Sequence, residues 1–237
     1  MSEQKKLEHL AIIMDGNRRW AKKNNLPIPS LGHKKGAETL ENIAKYCNKI
    51  GLKHLTVYAF STENWKRAAE EIKAIIKLLE AYLDKFLKKT DLNNIKIKII
   101  GDLESNSLPD ILRKKMYQMQ EKTKNNTGLT LNIAFNYGGR AEILRATKQL
   151  AQEVLDRKIN IDDINENAFS NKLYTAGQPD PDLIIRTSGE YRISNFLTWQ
   201  STYSELLFLD KYWPEFTERD VDNAIEYYNS RNRRIGK

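Results

Sequence analysis

The chain has 237 residues, 40% of them hydrophobic, and a formal net charge of +8. This length and composition exclude disordered and fibrous classes and provide for a sizeable core, read here as a single domain over residues 1–237. The positive charge favours anionic partners in general, whether nucleic acid, a membrane surface or a phosphorylated small molecule, without choosing among them. In chain order, a polar start (Met1–Glu8) leads into a β-branched run at His9–Met14. That run is far too short for a signal peptide core or for a membrane span of roughly 20 apolar residues. Helical patterns follow at about 16–24 and 34–50. The second carries the apolar stripe Ala37, Leu40, Ile43, Ala44 and Cys47, so the single cysteine reads as packing in a reducing compartment.

Further strands are expected at His54–Phe60, Ile95–Ile100, Leu129–Phe135 and Asp182–Arg186, with a weaker sixth at Leu206–Leu209. Helices are expected at about 69–89, 110–125, 139–157, 163–173 and 217–231. Most of the strands are apolar at consecutive positions, as strands buried on both faces are. Their alternation with helices predicts an α/β fold, a mainly parallel central sheet with helices on both faces. Ligands of such folds bind beyond the carboxyl ends of the strands, so the residues just after each strand carry the functional reading.

After the first strand comes Asp15-Gly16-Asn17-Arg18-Arg19-Trp20. A helix start behind a glycine favours a phosphate, Asn17, Arg18 and Arg19 add donors, and a Mg2+ ion would make Asp15 attractive rather than repulsive to it. The same pattern also suits a plain helix N-cap at Asp15. After the second strand comes Ser61-Thr62-Glu63-Asn64-Trp65-Lys66-Arg67, which reads equally as a capping box and as a site. After the 182–186 strand, Arg186, Arg192 and Ser194 can converge on one anion. The 69–89 helix has an apolar face from Ile72 to Phe86, widened by Ala74, Leu78, Ala81 and Tyr82, which suits either core packing or one wall of an oily tunnel.

Five ordered motifs, His9–Trp20, Gly32-His33, Tyr58–Trp65, Asn136–Arg140 and Ile185–Glu190 followed by Arg192–Phe196, resemble cis-prenyltransferases, the bacterial undecaprenyl diphosphate synthases best. The likeness runs from about residue 9 to residue 234. It implies a cytoplasmic homodimer with a hydrophobic tunnel and Mg2+, condensing isopentenyl diphosphate onto an allylic prenyl diphosphate, with farnesyl diphosphate as primer. The product implied is a long-chain polyprenyl diphosphate, undecaprenyl diphosphate for the cell-wall lipid carrier, and any membrane contact is peripheral, for product release. By position, Asp15 matches the catalytic metal-binding aspartate, Gly16, Asn17 and Arg19 match the allylic diphosphate cradle, His33 matches a histidine near it, and Arg18 and Trp20 are expected among the substrate-binding residues. Ser61, Thr62, Glu63, Asn64, Trp65 and Arg67 match the second motif, with Asn64 in a catalytic role. Arg186, Arg192 and Ser194 match the isopentenyl diphosphate site, and Glu205 matches an acid at the dimer contact that helps hold the metal. Two positions depart from the pattern. Pro29 stands where many relatives carry an arginine, and Tyr191 where some carry a histidine.

Rival readings are weaker. A metal-dependent phosphatase would want a carboxylate where Asn17 stands. A non-catalytic subunit would have lost the Asp15-Gly16-Asn17 cluster. A nucleic-acid-binding module needs a basic stripe with interleaved aromatics, and the Arg231–Arg234 tail is too short for one, so no nucleic-acid partner is expected.

Overall fold

The structure, a computed structural model, describes residues 6–28, 30–88 and 93–231. Pro29, Lys89 and most of the basic C-terminal tail therefore lie outside the described residues. Six strands form one sheet: β1 (His9–Ile13), β2 (His54–Ser61), β3 (Lys96–Ile100), β4 (Thr130–Tyr137), β5 (Leu183–Arg186) and β6 (Glu205–Phe208). Every pairing is parallel and the order is β3-β4-β2-β1-β5-β6. The helices are α1 (Asn17–Lys23), α2 (Ser30–Lys49), α3 (Ala69–Lys88), α4 (Asp110–Thr123), α5 (Gly139–Leu155), α6 (Glu166–Ser170) and α7 (Glu218–Ser230).

The apolar runs make strands because both faces of the sheet are covered. In β1 every residue is buried. Leu10 and Ile12 join one core with Val57, Ile43 and Trp213, while Ala11 and Ile13 join another with Tyr58, Ile184 and Phe196. That alternation is the two-residue period of a strand. A third core packs Phe60, Ile99 and Phe135 against Leu83 of α3 and Met116 of α4. β1 sits at the middle of the sheet, with β2 on one side and β5 on the other. The connection from β1 runs toward β2 and that from β5 toward β6, so a crevice opens beyond the carboxyl ends of β1 and β5.

Two helices differ from expectation. α2 starts at Ser30 rather than near residue 34 and so carries Gly32 and His33. The two glycines of its first turns permit a close crossing over α1. A Cβ at Gly32 would stand 2.1 Å from the Asn17 carbonyl oxygen, and one at Gly36 would stand 2.3 Å from Asn17 Oδ1. The 163–173 segment shortens to α6, where the Asn165 side chain accepts the Ala168 N–H at 3.0 Å and sets the start.

At the amino edge of the sheet a polar network is sealed from solvent. His9 Nδ1 lies 2.6 Å from the Pro179 carbonyl oxygen, which can only accept, so this nitrogen carries the proton. His9 Nε2 then accepts from Thr56 Oγ1 at 2.7 Å, and Thr56 in turn accepts from Asn132 Nδ2 at 2.9 Å. Burial drives the His9 pKa down to about 4.

Candidate active site

β1 delivers Asp15 to the crevice, and Gly16 turns the chain into α1. Gly16 has φ 98°, and a Cβ there would meet Tyr212 Cδ1 at 2.6 Å. Only glycine meets both demands. The Gly16 N–H donates to Asp15 Oδ1 at 2.6 Å, and Arg19 Nη2 lies 3.2 Å from the same oxygen. Arg186, the last residue of β5, donates from Nη2 to Asp15 Oδ2 at 2.9 Å. Burial alone would raise the Asp15 pKa, but the hydrogen bond and charge of Arg186, with help from Arg19 and the Gly16 N–H, hold it below the usual carboxylate range.

The segment after β5 bends back over this point. Arg186 Nη1 donates to Ser194 Oγ at 2.7 Å and also to the Arg192 carbonyl oxygen. Ser188, Ser194, Asn195 and Leu197 all have positive φ, a concentration of local strain held by its surroundings. Thr187 fastens the segment to β1, donating from Oγ1 to the Asp15 carbonyl oxygen at 2.8 Å. Glu190 accepts from Arg19 at 2.8 Å and from Arg192, whose side chain is 59% exposed. Tyr191 is exposed and its ring packs near Phe208, at 5.2 Å between centroids.

The second motif is both cap and wall. A 3-10 turn at Thr62–Lys66 is closed by a capping box in which the Ser61 N–H donates to Asn64 Oδ1 at 3.1 Å. Trp65 turns away from the crevice. Its indole stands edge-on to Phe60 at 5.0 Å and donates to Asn136 Oδ1 at 2.8 Å, which anchors the turn. Glu71, in the first turn of α3, gathers two guanidinium groups and an imidazole: Arg18 at 2.9 Å, Arg67 at 2.8 Å and His33 at 3.7 Å. Burial, and then the charge of Arg67, lowers the His33 pKa.

These elements enclose a polar cleft of about 760 Å³. Asp15, Gly16, Asn17, Arg18, Arg19, His33, Ser61, Glu63, Asn64, Arg67, Arg186 and Ser194 all line it. Trp20, Thr62, Trp65 and Arg192 are not among its lining residues. Three polar atoms of lining residues, Asn17 Oδ1, His33 Nε2 and Arg186 Nε, are buried without a hydrogen-bond partner. Glu205 does not join the cleft. It stands at the start of β6 with its carboxylate 3.1 Å from Arg231 Nε, at the opposite edge of the sheet from Asp15, so within one chain the two cannot share an ion. Sequence reading missed Glu71 and Glu190 as partners of the cations. Glu71 carries only the signal of a first-turn helix acid, although Glu190 lies inside a recognised motif.

The donor set bears on the metal. Mg2+ takes one or two protein carboxylates and completes its shell with phosphate oxygens and water. Asp15 offers one carboxylate beside several anion-binding groups, and among the described residues no group of three or more His, Cys, Asp or Glu converges. The residues fit Mg2+ held jointly with a diphosphate, rather than in a cage made by protein alone.

Behind the cleft lies an apolar cavity of about 200 Å³ between the sheet, α2 and α3. Met14, Asn17, His33, Ala59 and Ile75 line both spaces, so the two adjoin. On α3 the cavity is lined by Ile75, Leu78, Leu79, Tyr82, Leu83 and Phe86. Ala74 and Ala81 are not in its lining. Ala81 is exposed, and the lining alanines are Ala37, Ala44 and Ala59.

A ligand with an anionic head and an apolar tail suits two such adjoining spaces, and the substrates of transferases that handle prenyl diphosphates have that form. Sequence and structure comparisons agree. The prenyltransferase family model for undecaprenyl diphosphate synthase matches residues 13–236. An isoprenyl transferase of Clostridium tetani is 52% identical over 229 residues, which is 97% of this chain and 89% of that protein. A ditrans,polycis-undecaprenyl-diphosphate synthase of Micrococcus luteus, described as (2E,6E)-farnesyl-diphosphate specific, is 46% identical over 97% of this chain and 91% of that protein. The crystal structure of lavandulyl diphosphate synthase from Lavandula x intermedia, in complex with dimethylallyl diphosphate, superposes with a TM-score of 0.92, at 33% identity and 98% of each chain. The chain belongs to the undecaprenyl diphosphate synthase family of cis-prenyltransferases.

Proposed function

We propose that this enzyme elongates farnesyl diphosphate with isopentenyl diphosphate units to give undecaprenyl diphosphate, in a Mg2+-dependent reaction. The observation that carries this reading is that the cation-lined cleft and the apolar cavity share the lining residues Met14, His33, Ala59 and Ile75. A diphosphate held in the cleft points its tail into the cavity, where each buried CH2 gains roughly 0.8 kcal/mol.

Gly16, Asn17, Arg18, Arg19 and His33 hold the allylic diphosphate, and Arg186, Arg192 and Ser194 hold that of isopentenyl diphosphate. Both Arg19 and Arg186 pair with Asp15. On substrate binding these arginines exchange its carboxylate for diphosphate oxygens, which frees Asp15. Asp15 would hold Mg2+, which when bound would supply charge neutralisation for the leaving diphosphate. Pinning both diphosphates sets the allylic carbon against the double bond of isopentenyl diphosphate and removes the entropic cost of finding that geometry. Ser61 and Asn64, locked by their capping box, form the wall of the cleft where the new bond forms. The allylic C–O bond breaks with departure of diphosphate, the double bond of isopentenyl diphosphate forms the new C–C bond, and a proton passes from the isopentenyl unit to a diphosphate oxygen, which completes the condensation.

The chain acts as one domain and as a homodimer in the cytoplasm. Exposed apolar side chains at Leu144, Leu155, Tyr203 and Leu206 support a covered face. Among the described residues no helix is long and apolar enough to cross a membrane, and product release is proposed to use peripheral membrane contact. The test is turnover with farnesyl diphosphate, isopentenyl diphosphate and Mg2+, with products sized by chromatography. Absence of any polyprenyl diphosphate from the folded, Mg2+-loaded protein overturns the reading.

A further inference from the structure

The apolar cavity has two ends of different chemistry. At the cleft it meets Met14, Asn17 and His33, and at the other end it meets Glu41, Lys45 and Asn93. His33 and Lys45 lie twelve residues apart on α2, so the ends are separated by about 18 Å at the helical rise. The strand residues run the same way, from Phe135 toward the carboxyl end of β4 to Leu131 near its start.

Between those ends the lining is oily, which makes an acid at the far end conspicuous. The Glu41 side chain is only 12% exposed. It accepts from Lys45 Nζ at 2.9 Å, one turn along α2, and from Lys85 Nζ at 2.7 Å, across on α3. The Lys85 ammonium also stands over two rings of the cavity lining, Tyr82 at 5.3 Å and Phe86 at 5.5 Å from their centroids. One carboxylate thus ties α2 to α3 over the far end, and the cation it holds covers the aromatic side chains there. A seam between two helices packs well without charge, and a largely buried carboxylate in it carries a desolvation cost.

We propose that the Glu41–Lys85 ion pair, backed by Lys45, is a gate at the far end of the tail cavity and determines product length; this rests on the function proposed above. While the pair is closed, a growing tail that reaches it meets charge instead of apolar surface, and further units gain no burial. When the pair parts, the seam between α2 and α3 admits the tail and elongation continues. The pair is suited to opening because Lys45 and Lys85 are about half exposed, so the link is modest and weakened by salt.

The experiment compares products of the full-length enzyme and two variants, Glu41→Gln, which keeps shape and removes charge, and Lys85→Ala, which breaks the pair from its more exposed side. Product length is measured at matched turnover, with the rate of the first condensation onto farnesyl diphosphate as internal reference. Both variants are expected to make products longer by at least a whole isoprenyl unit. Raising salt from about 0.05 M to about 0.5 M is expected to lengthen wild-type products and leave those of Glu41→Gln unchanged. A wild-type protein that makes no polyprenyl diphosphate overturns the proposed function and the gate with it. An active wild type whose variants, or whichever of them folds, give unchanged lengths overturns the gate alone, as does an equal salt response in wild type and Glu41→Gln.

Discussion

Asp15 and Arg186 lie 171 residues apart in the chain and meet in a 2.9 Å ion pair at the carboxyl ends of adjacent strands. The pair neutralises two groups that the proposed reaction needs separately, a carboxylate for metal and a cation for diphosphate. In the free chain each keeps the other in place.

Asp15→Ala is therefore expected to lower turnover by about 100-fold or more, as loss of a key electrostatic group does. Arg186 keeps its bonds to Ser194 and the Arg192 carbonyl, so the chain stays folded, with a lowered melting temperature from its unpaired buried charge. Kinetics at saturating Mg2+ and a thermal melt check both parts. Activity within about threefold of wild type would remove Asp15 from the metal role.

Arg186→Ala and Arg192→Ala are expected to raise the KM for isopentenyl diphosphate. Charge-assisted bonds are worth about 1.5–3 kcal/mol, or roughly 10- to 100-fold. Arg186, buried and forked between three partners, should lie at the upper end, and Arg192, 59% exposed, at the lower. Arg186→Lys should fail to rescue, because an ammonium lacks the planar fork. A rise confined to the KM for farnesyl diphosphate would show that the two diphosphate sites are reversed.

Gly16→Ala should both destabilise the chain and impair substrate binding. The left-handed backbone at φ 98° costs a residue with a Cβ about 1–2 kcal/mol, and the added carbon meets the Tyr212 ring at 2.6 Å. Denaturant melts and farnesyl diphosphate titration measure the two effects. A variant as stable as wild type would mean that the turn relaxes freely.

Acid should weaken the fold through His9. Its folded pKa of about 4 lies below the ordinary 6.5, so the folded state favours the neutral ring. The stability this provides is complete above pH 6.5 and is lost as pH falls toward 4, up to about 3 kcal/mol. Urea midpoints between these limits should fall for wild type and fall less for His9→Gln. Parallel profiles would assign the acid sensitivity to other groups.

Much of this architecture is readable from the sequence because most strands carry a short apolar run, and those that lead into the cleft are followed by a polar motif. All six strands fall within a few residues of expectation, and twelve of the proposed site residues line one cleft. The failures share a cause, which is that local pattern does not report direction. Trp65 sits among polar residues, yet its ring faces Phe60. Ala81 has helical spacing on an apolar face, yet it points outward. The start of α2 depends on how closely it crosses α1, and Glu71 gains its partners from three separate elements.

The central position of β1 has a consequence for biosynthesis. Its pairing with β2 can form early, but its other edge waits for Leu183–Arg186. At roughly 5–20 residues per second, that wait on the ribosome lasts on the order of 10–30 s. Throughout it, the emerging chain presents an open strand edge, apolar from Leu10 to Ile13, of the kind that templates intermolecular pairing. Arg186 arrives on the strand that closes this edge, so the catalytic cleft is completed in the same event that ends the vulnerable interval.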